Sequence, residues 1–127
     1  MQSKPTSIQV YFADQFQSNL RALSKKYRHI RSDVQPIIEQ LQVGELPGNQ
    51  ISGIDDIVFK VRVKNSDIKK GKSAGYRLIY HVQIPTIIFL MTIYAKSEQV
   101  DISASEICRI ISELPDVSNA EKTQDDE

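Results

Sequence analysis

Residues 75–95 read GYRLIYHVQIPTIIFLMTIYA, two long apolar segments separated by a proline and a threonine. Both segments are rich in β-branched and aromatic residues, which favour strands. Pro85 and Thr86 predict a turn, so we expect antiparallel strands over 75–84 and 87–95. The second segment is apolar on both faces, which predicts a strand in the middle of the sheet.

Upstream of this hairpin, the segment IVFKVRVK (57–64) alternates cleanly and predicts another strand, joined to the hairpin by a loop over 65–74. Its apolar set points to one side and consists of Ile57, Phe59, Val61 and Val63. Its other side carries Val58, Lys60, Arg62 and Lys64. In the strand over 75–84, one side carries Tyr76, Leu78, Tyr80 and Val82, and the other carries Arg77, Ile79, His81 and Gln83.

Helical periodicity flanks these strands. After a short strand over 6–12, apolar residues recur every three or four positions and predict a helix over about 13–27. A second helix follows around 31–43, with Ser32 or Asp33 as its cap, Pro36 near its first turn and Gly44 as its end. The sequence SASE (103–106) predicts a capping box that opens a last helix, which Pro115 ends.

The predicted order is β-α-α-β-β-β-α, an α+β domain over 1–115. We expect a small mixed sheet of about four strands, with the N-terminal helical hairpin and the C-terminal helix packed on one face. Residues 116–127 are acidic and contain almost nothing to bury, so we expect a disordered tail.

The net charge of zero conceals an uneven distribution. Residues 116–127 contain five acids and one base, so this tail carries −4 and the rest of the chain +4. Between residues 60 and 77 there are seven bases and one acid. Such a segment attracts a polyanion. A basic loop that is simply solvated explains the same pattern, and charge alone does not separate the two interpretations.

Several classes of protein are not expected. The longest apolar stretch, 84–95, is too short to cross a bilayer. The single cysteine, Cys108, excludes an intramolecular disulfide, and no leader is apparent, so we expect a cytoplasmic protein. With His29 and His81 as the only histidines, no metal site or cofactor is expected.

The candidate site lies on the polar face of the sheet. Lys60 and Arg62 are two residues apart on one strand, so their side chains stand about 6–7 Å from each other on one face. Arg77 begins the neighbouring strand. Three cations on an outer face form a plausible phosphate site, because arginine binds phosphate oxygens in pairs and keeps its charge. The alternative is a solvated face whose charges prevent aggregation.

Residues 8–113 resemble the RelE/ParE superfamily of toxins from bacterial type II toxin–antitoxin pairs, close to the RelE- and HigB-like branch. The resemblance rests on the helical hairpin, on FKVRV, on KSAGYRLIY as the most specific piece, and on IYAKSEQVDISASE. It implies the RelE-like microbial RNase fold. It also implies a cytoplasmic toxin that binds a cognate antitoxin and cuts mRNA on the ribosome.

The resemblance further implies a reaction that needs no metal or cofactor, in which the ribose 2′-hydroxyl attacks the adjacent phosphate. Carried over by position, the catalytic residues are Lys60, Arg62, Arg77 and Lys96. Lys60 is the candidate base or 2′-hydroxyl orienter, and the two arginines stabilise the phosphorane. The RNA backbone contacts are expected from Lys64, Lys69, Lys70 and Lys72.

Two positions depart from the RelE pattern. Ser97 stands where RelE has an arginine, and Ser103 lies near the place of a tyrosine that positions the base and the leaving group. Tyr94 and His81 are the candidate substitutes, with contacts to RNA. Two alternatives therefore stay open: a non-enzymatic ParE-like toxin that poisons DNA gyrase, and an inactive binding domain.

Overall fold

The computed structural model of the chain describes residues 7–68, 74–115 and 117. Its helices and strands are β1 (Gln9–Phe12), α1 (Asp14–Ser24), α2 (Ile30–Gln42), β2 (Asn49–Gln50), β3 (Val58–Val63), β4 (Tyr76–Ile84), β5 (Ile87–Ala95) and α3 (Ala104–Ser112). Three helices and one mixed sheet confirm the predicted α+β class. The predicted RNA-contacting lysines Lys69, Lys70 and Lys72, and the acidic tail apart from Val117, lie outside the described residues.

The described sheet has five strands in the order β1-β5-β4-β3-β2. β1 is parallel to β5, and the other neighbouring pairs are antiparallel. The turn at Pro85–Thr86 and the inner position of β5 are confirmed. The expected number of strands is one short, because β2 lies between α2 and β3, where no strand was predicted, and pairs Asn49 with Lys60. Two residues are too few to show a period in the sequence.

One face of the sheet is covered by α1 and α2. Their apolar residues form a core with the side of β3 and β4 that the alternation predicted. The helices contribute Phe16, Leu20, Leu23, Ile30, Val34, Ile37 and Leu41, and these two strands contribute Val61, Val63, Tyr76, Leu78, Tyr80 and Val82. The rings of Phe59 and Tyr80 stack nearly parallel, with centroids 5.2 Å apart.

The C-terminal end of α2 confirms the role predicted for Gly44. Gly44 has a φ of 95°, which favours glycine, and its N–H donates to the Leu41 carbonyl at 3.1 Å. The N–H of Glu45 donates to the Gln40 carbonyl at 2.9 Å. These two bonds satisfy carbonyls that the end of the helix would otherwise leave unpaired.

The N-terminal end of α2 differs from the prediction. Neither Ser32 nor Asp33 caps the helix, since it begins at Ile30 and His29 occupies the cap position without a side-chain cap bond. The loop after β3 supplies the acceptor instead: the backbone N–H of His29 donates to the Asp67 carboxylate at 2.9 Å. Pro36 therefore lies inside the helix, beyond its first turn.

The expectation that all helices cover one face is wrong. Ile107 and Ile110 of α3 pack against the opposite face of the sheet, with Val58, Ile79 and Phe89 among their neighbours. The physical reason is that β5 is apolar on both faces and fully buried, so each face needs its own cover. The hairpin covers one face, and α3 covers part of the other.

The start of α3 follows the predicted cap. The Ser103 hydroxyl accepts a hydrogen bond from the Glu106 backbone N–H at 3.1 Å. The Glu106 carboxylate does not complete a reciprocal capping box among the described contacts, because it binds Arg109 instead. Within the described residues, every helix is too short or too polar to span a bilayer.

Candidate functional site

The register of the sheet brings the predicted basic residues into rows. Arg62 of β3 lies opposite Arg77 of β4, and Arg77 lies opposite Tyr94 of β5. Lys60 lies opposite Ile79, one row away. Because paired residues on neighbouring strands share a face, these side chains project from the face that also receives α3.

A β-bulge puts Tyr94 in this row. Consecutive residues Ile79 and Tyr80 pair with Thr92 and Leu90, so Met91 is an extra residue in β5. Met91 packs with α3, and simple alternation from it would bring Ile93 to the same face. Ile93 instead belongs to the core under α1 and α2, so the bulge reverses the alternation and turns Tyr94 towards the face of Arg77.

The four predicted catalytic residues line one open groove of about 590 Å³. We call this the basic groove and define it by Lys60, Arg62, Arg77 and Lys96. Its other lining residues are Ile37 and Gln40 of α2, Pro47, Gly48, Asn49 and Val61. The structure therefore brings Lys60, Arg62 and Arg77 together, and Lys96 lies with them. The wall formed by 47–49 was missed, and a proline followed by a glycine was its only signal in the sequence.

Arg77 lies at the base of the groove and is only 7% exposed. Its guanidinium donates to the Tyr76 carbonyl at 3.2 Å. Arg62, its neighbour across the strands, is exposed. A positive charge held in a poorly solvated position interacts more strongly with an anion than one in water. Arg77 is therefore the cation best placed to bind a phosphate in a fixed orientation.

Two glycines beside the groove allow neighbouring backbone segments to approach each other closely. A Cβ at Gly75 would lie 2.2 Å from the Val63 carbonyl oxygen, and a Cβ at Gly48 would lie 2.4 Å from that of Lys60. Both distances are too short for any side chain. The Gly75 carbonyl also accepts from the Lys96 backbone N–H at 2.9 Å, which fixes the residue that follows β5.

A carboxylate lies beside these cations. The ammonium group of Lys60 donates to Asp101 Oδ1 at 3.1 Å, and the Lys96 ammonium donates to the Val100 carbonyl at 2.9 Å. The Ile102 backbone N–H, followed by Lys60 and Lys96, holds the pKa of Asp101 below its usual value. A stable negative charge therefore lies beside the groove and lowers its positive field.

The structure separates the two candidate substitutes for the missing tyrosine. Burial, and next the charge of Asp101, raise the pKa of Tyr94, so this side chain is a neutral phenol near pH 7. Its hydroxyl is buried and makes no hydrogen bond of normal geometry among the described residues, although Asp101 is close. Tyr94 thus lies beside Arg77 but not among the residues that line the groove, and its hydroxyl does not reach the surface.

His81 is not part of the basic groove. It is four residues along β4 from Arg77, roughly 13 Å at the rise of a strand. Its Nδ1 lies 3.0 Å from the Ile57 carbonyl, and it lines a separate depression with Asp55 and Asp56. Lys64 is exposed two residues after Arg62, outside the residues that line the groove.

No group of three or more potential metal-ligating side chains occurs within 7–68, 74–115 and 117. Comparisons with models of protein families, with curated proteins and with solved structures gave no match. The RelE/ParE resemblance of the sequence therefore stays a prediction.

Proposed function

We propose that this protein is the toxin of a type II toxin–antitoxin pair and an mRNA endoribonuclease that acts on the ribosome in the cytoplasm. The observation that supports the proposal most strongly is the meeting of Lys60, Arg62, Arg77 and Lys96 in one groove. Four cations around an open cleft suit a phosphodiester, whose charge increases in the transition state. The sequence resemblance supplies the reaction and the cellular context.

In the proposed reaction, the ribose 2′-oxygen attacks the adjacent phosphorus while its proton passes to water. The bond between phosphorus and the 5′-oxygen then breaks, and that oxygen takes up a proton. The products are a 2′,3′-cyclic phosphate and a 5′-hydroxyl. Arg77, buried and held by the Tyr76 carbonyl, binds the scissile phosphate. Arg62, opposite it, neutralises the charge that develops on the phosphorane.

Lys60 and Lys96 have different surroundings in the groove. Lys60 donates to the Asp101 carboxylate, so it orients the 2′-hydroxyl more readily than it accepts a proton. A role as general base requires Lys60 to leave Asp101. Lys96 lies at the end of β5 and is the groove ammonium without a carboxylate bond among the described contacts. It is therefore the better candidate to protonate the leaving 5′-oxygen.

A second function is favoured by a specific observation. The Tyr94 hydroxyl is buried, and Asp101 reduces the positive charge of the groove. Both features suit a protein that binds without cutting, such as a ParE-like poison of DNA gyrase or an inactive binding domain. Under either toxin function, a cognate antitoxin is expected to cover the basic groove with an acidic or amphipathic helical segment.

Induction of the protein in a bacterial host, followed by primer extension on abundant mRNAs, separates these functions. New 5′ ends within translated regions, absent when Arg77→Ala is induced to the same level, support the nuclease. Growth arrest with intact mRNA and accumulated gyrase–DNA cleavage complexes rejects the nuclease in favour of the gyrase poison. Growth without arrest and with intact mRNA leaves the inactive binding domain.

A further inference from the structure

A second basic surface lies at the turn between α1 and α2. No acidic residue occurs between Gln15 and Ser32, and this segment carries five lysines and arginines. We define the hairpin tip as Arg21, Lys25, Arg28 and Arg31, all of which are exposed. The fifth cation, Lys26, is set apart because it forms an ion pair with Glu98 at 2.6 Å.

Most of the charge of the hairpin tip is not balanced within the described part of the chain. No described carboxylate lies within ion-pair distance of Arg21, Lys25 or Arg31. Arg28 is close enough to Asp67 to contribute slightly to the lowered pKa of that carboxyl, after the larger effect of His29. The hairpin tip therefore presents three uncompensated charges and one that is partly compensated.

Folding does not account for all of these cations. Arg21 lies in the last turn of α1 and Lys25 is its C-cap, where the helix dipole favours positive charge. Arg31, however, lies in the first turn of α2, where the dipole disfavours it. A cation that is exposed, has no ion pair among the described residues and lies at the unfavourable end of a helix is better explained by an external anion than by stability.

The hairpin tip lies at the same end of the sheet as the basic groove. Lys26 binds Glu98 in the segment after β5, just beyond Lys96 of the groove. His29 binds Asp67, and Asp33 accepts from the Ser66 N–H, in the loop after β3. These contacts connect the turn between α1 and α2 to the segments that follow β3 and β5, close to Arg62 and Lys96 of the groove. A polyanion in the groove can therefore continue past this end to the hairpin tip.

We propose that the hairpin tip is a second binding surface for the phosphate backbone of RNA, which holds RNA whose scissile phosphate lies in the basic groove. The choice of RNA as ligand rests on the proposed function. A membrane surface fits poorly, because none of the large exposed hydrophobic residues lies in the tip. Three of the four cations are arginines, which bind phosphate oxygens in pairs.

The test uses an RNA hairpin with a single-stranded extension, made entirely of 2′-O-methyl nucleotides so that it cannot be cut. Its affinity is measured by fluorescence anisotropy between about 50 and 200 mM salt. The variant Arg21→Gln/Lys25→Gln/Arg31→Gln removes three charges from the tip. The control Gln9→Glu/Gln42→Glu/Ser52→Glu changes the net charge equally, at exposed positions outside the tip and the groove.

The proposal predicts that the tip variant binds RNA at least fivefold more weakly and loses about 2 from the slope of log affinity against log salt. The charge-matched control should change the slope by less than about 0.5. Equal effects of the two variants, or no RNA binding by the wild type at 50 mM salt, overturn the proposal. Binding to anionic lipid vesicles is measured for the same proteins. A tip variant that loses vesicle binding but binds RNA as tightly as the wild type also overturns the proposal.

The outcomes for the tip and for the nuclease remain distinguishable. Arg77→Ala in the same assay should keep most of the salt dependence while abolishing cleavage of ordinary mRNA. If the tip variant behaves like the wild type and Arg77→Ala still abolishes cleavage, the tip proposal fails and the proposed function stands. If the tip variant has the reduced salt dependence and neither the wild type nor any variant cleaves mRNA, the hairpin tip binds RNA and the nuclease proposal fails.

Discussion

The ammonium group of Lys60 lies 3.1 Å from a carboxylate oxygen of Asp101, at the edge of a groove that otherwise presents positive charge. The Asp101 side chain is 63% exposed, so solvent screens this pair and its contribution to stability is small. Its effect on binding is larger, because Asp101 competes with an incoming phosphate for Lys60.

Asp101→Asn should therefore tighten RNA binding. Removal of one negative charge about 4 Å from a phosphate is worth about 1 kcal/mol in water, or roughly fivefold in affinity. Anisotropy with uncleavable 2′-O-methyl RNA measures this change. Asp56→Asn, the same charge change beside His81, should leave the affinity unchanged. Weaker binding by Asp101→Asn would mean that the carboxylate positions Lys60 for RNA.

The pH dependence of the same variant follows from the direction of the Asp101 pKa. This pKa is lower in the folded protein than its ordinary value of about 3.9, so the Lys60–Asp101 pair is fully formed above that value. It is lost as the pH falls through the lower folded pKa. The affinity difference between Asp101→Asn and the wild type should thus be constant from about pH 5 to 8. A difference that titrates within this window contradicts the assignment.

Tyr94→Phe should have little effect on either stability or cleavage. The Tyr94 hydroxyl is buried without a hydrogen bond of normal geometry among the described residues, and nearby Asp101 keeps its bonds to Lys60 and Ile102, so removal of the hydroxyl leaves no partner unsatisfied. We expect unchanged or slightly higher stability in urea and a cleavage rate within about threefold of the wild type. Loss of about 100-fold or more in rate would show that the phenol reaches the substrate as a proton donor.

Gly75→Ala should destabilise the protein by about 2 kcal/mol or more, because the added Cβ would lie 2.2 Å from the Val63 carbonyl oxygen. Gly53→Ala is the matched control: it has no neighbour within 4 Å, and its φ of 83° costs only about 1–2 kcal/mol. Urea unfolding compares the two. If Gly75→Ala destabilises the protein less than Gly53→Ala, the backbone at Gly75 does not approach Val63 as closely as the structure shows.

Tyr80→Phe should loosen the wall of the basic groove. The Tyr80 hydroxyl donates to the Pro47 carbonyl at 2.6 Å, and its loss costs about 1 kcal/mol of stability while the stack on Phe59 is kept. We expect a parallel fall in RNA affinity, because 47–49 line the groove. Tyr27→Phe removes a tyrosine hydroxyl outside the groove and serves as the control. Equal RNA affinity for the two variants would show that the wall formed by 47–49 does not contribute to RNA binding.

Much of the fold and of the candidate site follows from local patterns in the sequence. The alternation in β3 assigned Lys60 and Arg62 to one face, and the two-residue turn at Pro85 fixed the hairpin that brings the end of β5, and with it Lys96, beside the start of β4. These features could be predicted because a period of two and a turn are each contained in a few neighbouring residues.

What was missed depends on contacts between distant segments. The apolar stripe of α3 shows which side of the helix is buried, but not which face of the sheet receives it. The bulge at Met91 is hidden because β5 is apolar on both faces, so a reversed alternation leaves no trace in the sequence. The bulge also sets the face to which Tyr94 points, and the acceptor for the His29 N–H at the start of α2 comes from Asp67, on a distant loop.

The central claim is that the basic groove cuts RNA by attack of the 2′-hydroxyl. The most direct test is mass spectrometry of the ends formed when purified protein acts on mRNA bound to ribosomes. We predict 2′,3′-cyclic phosphate and 5′-hydroxyl ends for the wild type, and intact mRNA for a folded Arg77→Ala variant. Intact mRNA with the wild type, or 5′-phosphate ends, would contradict this account.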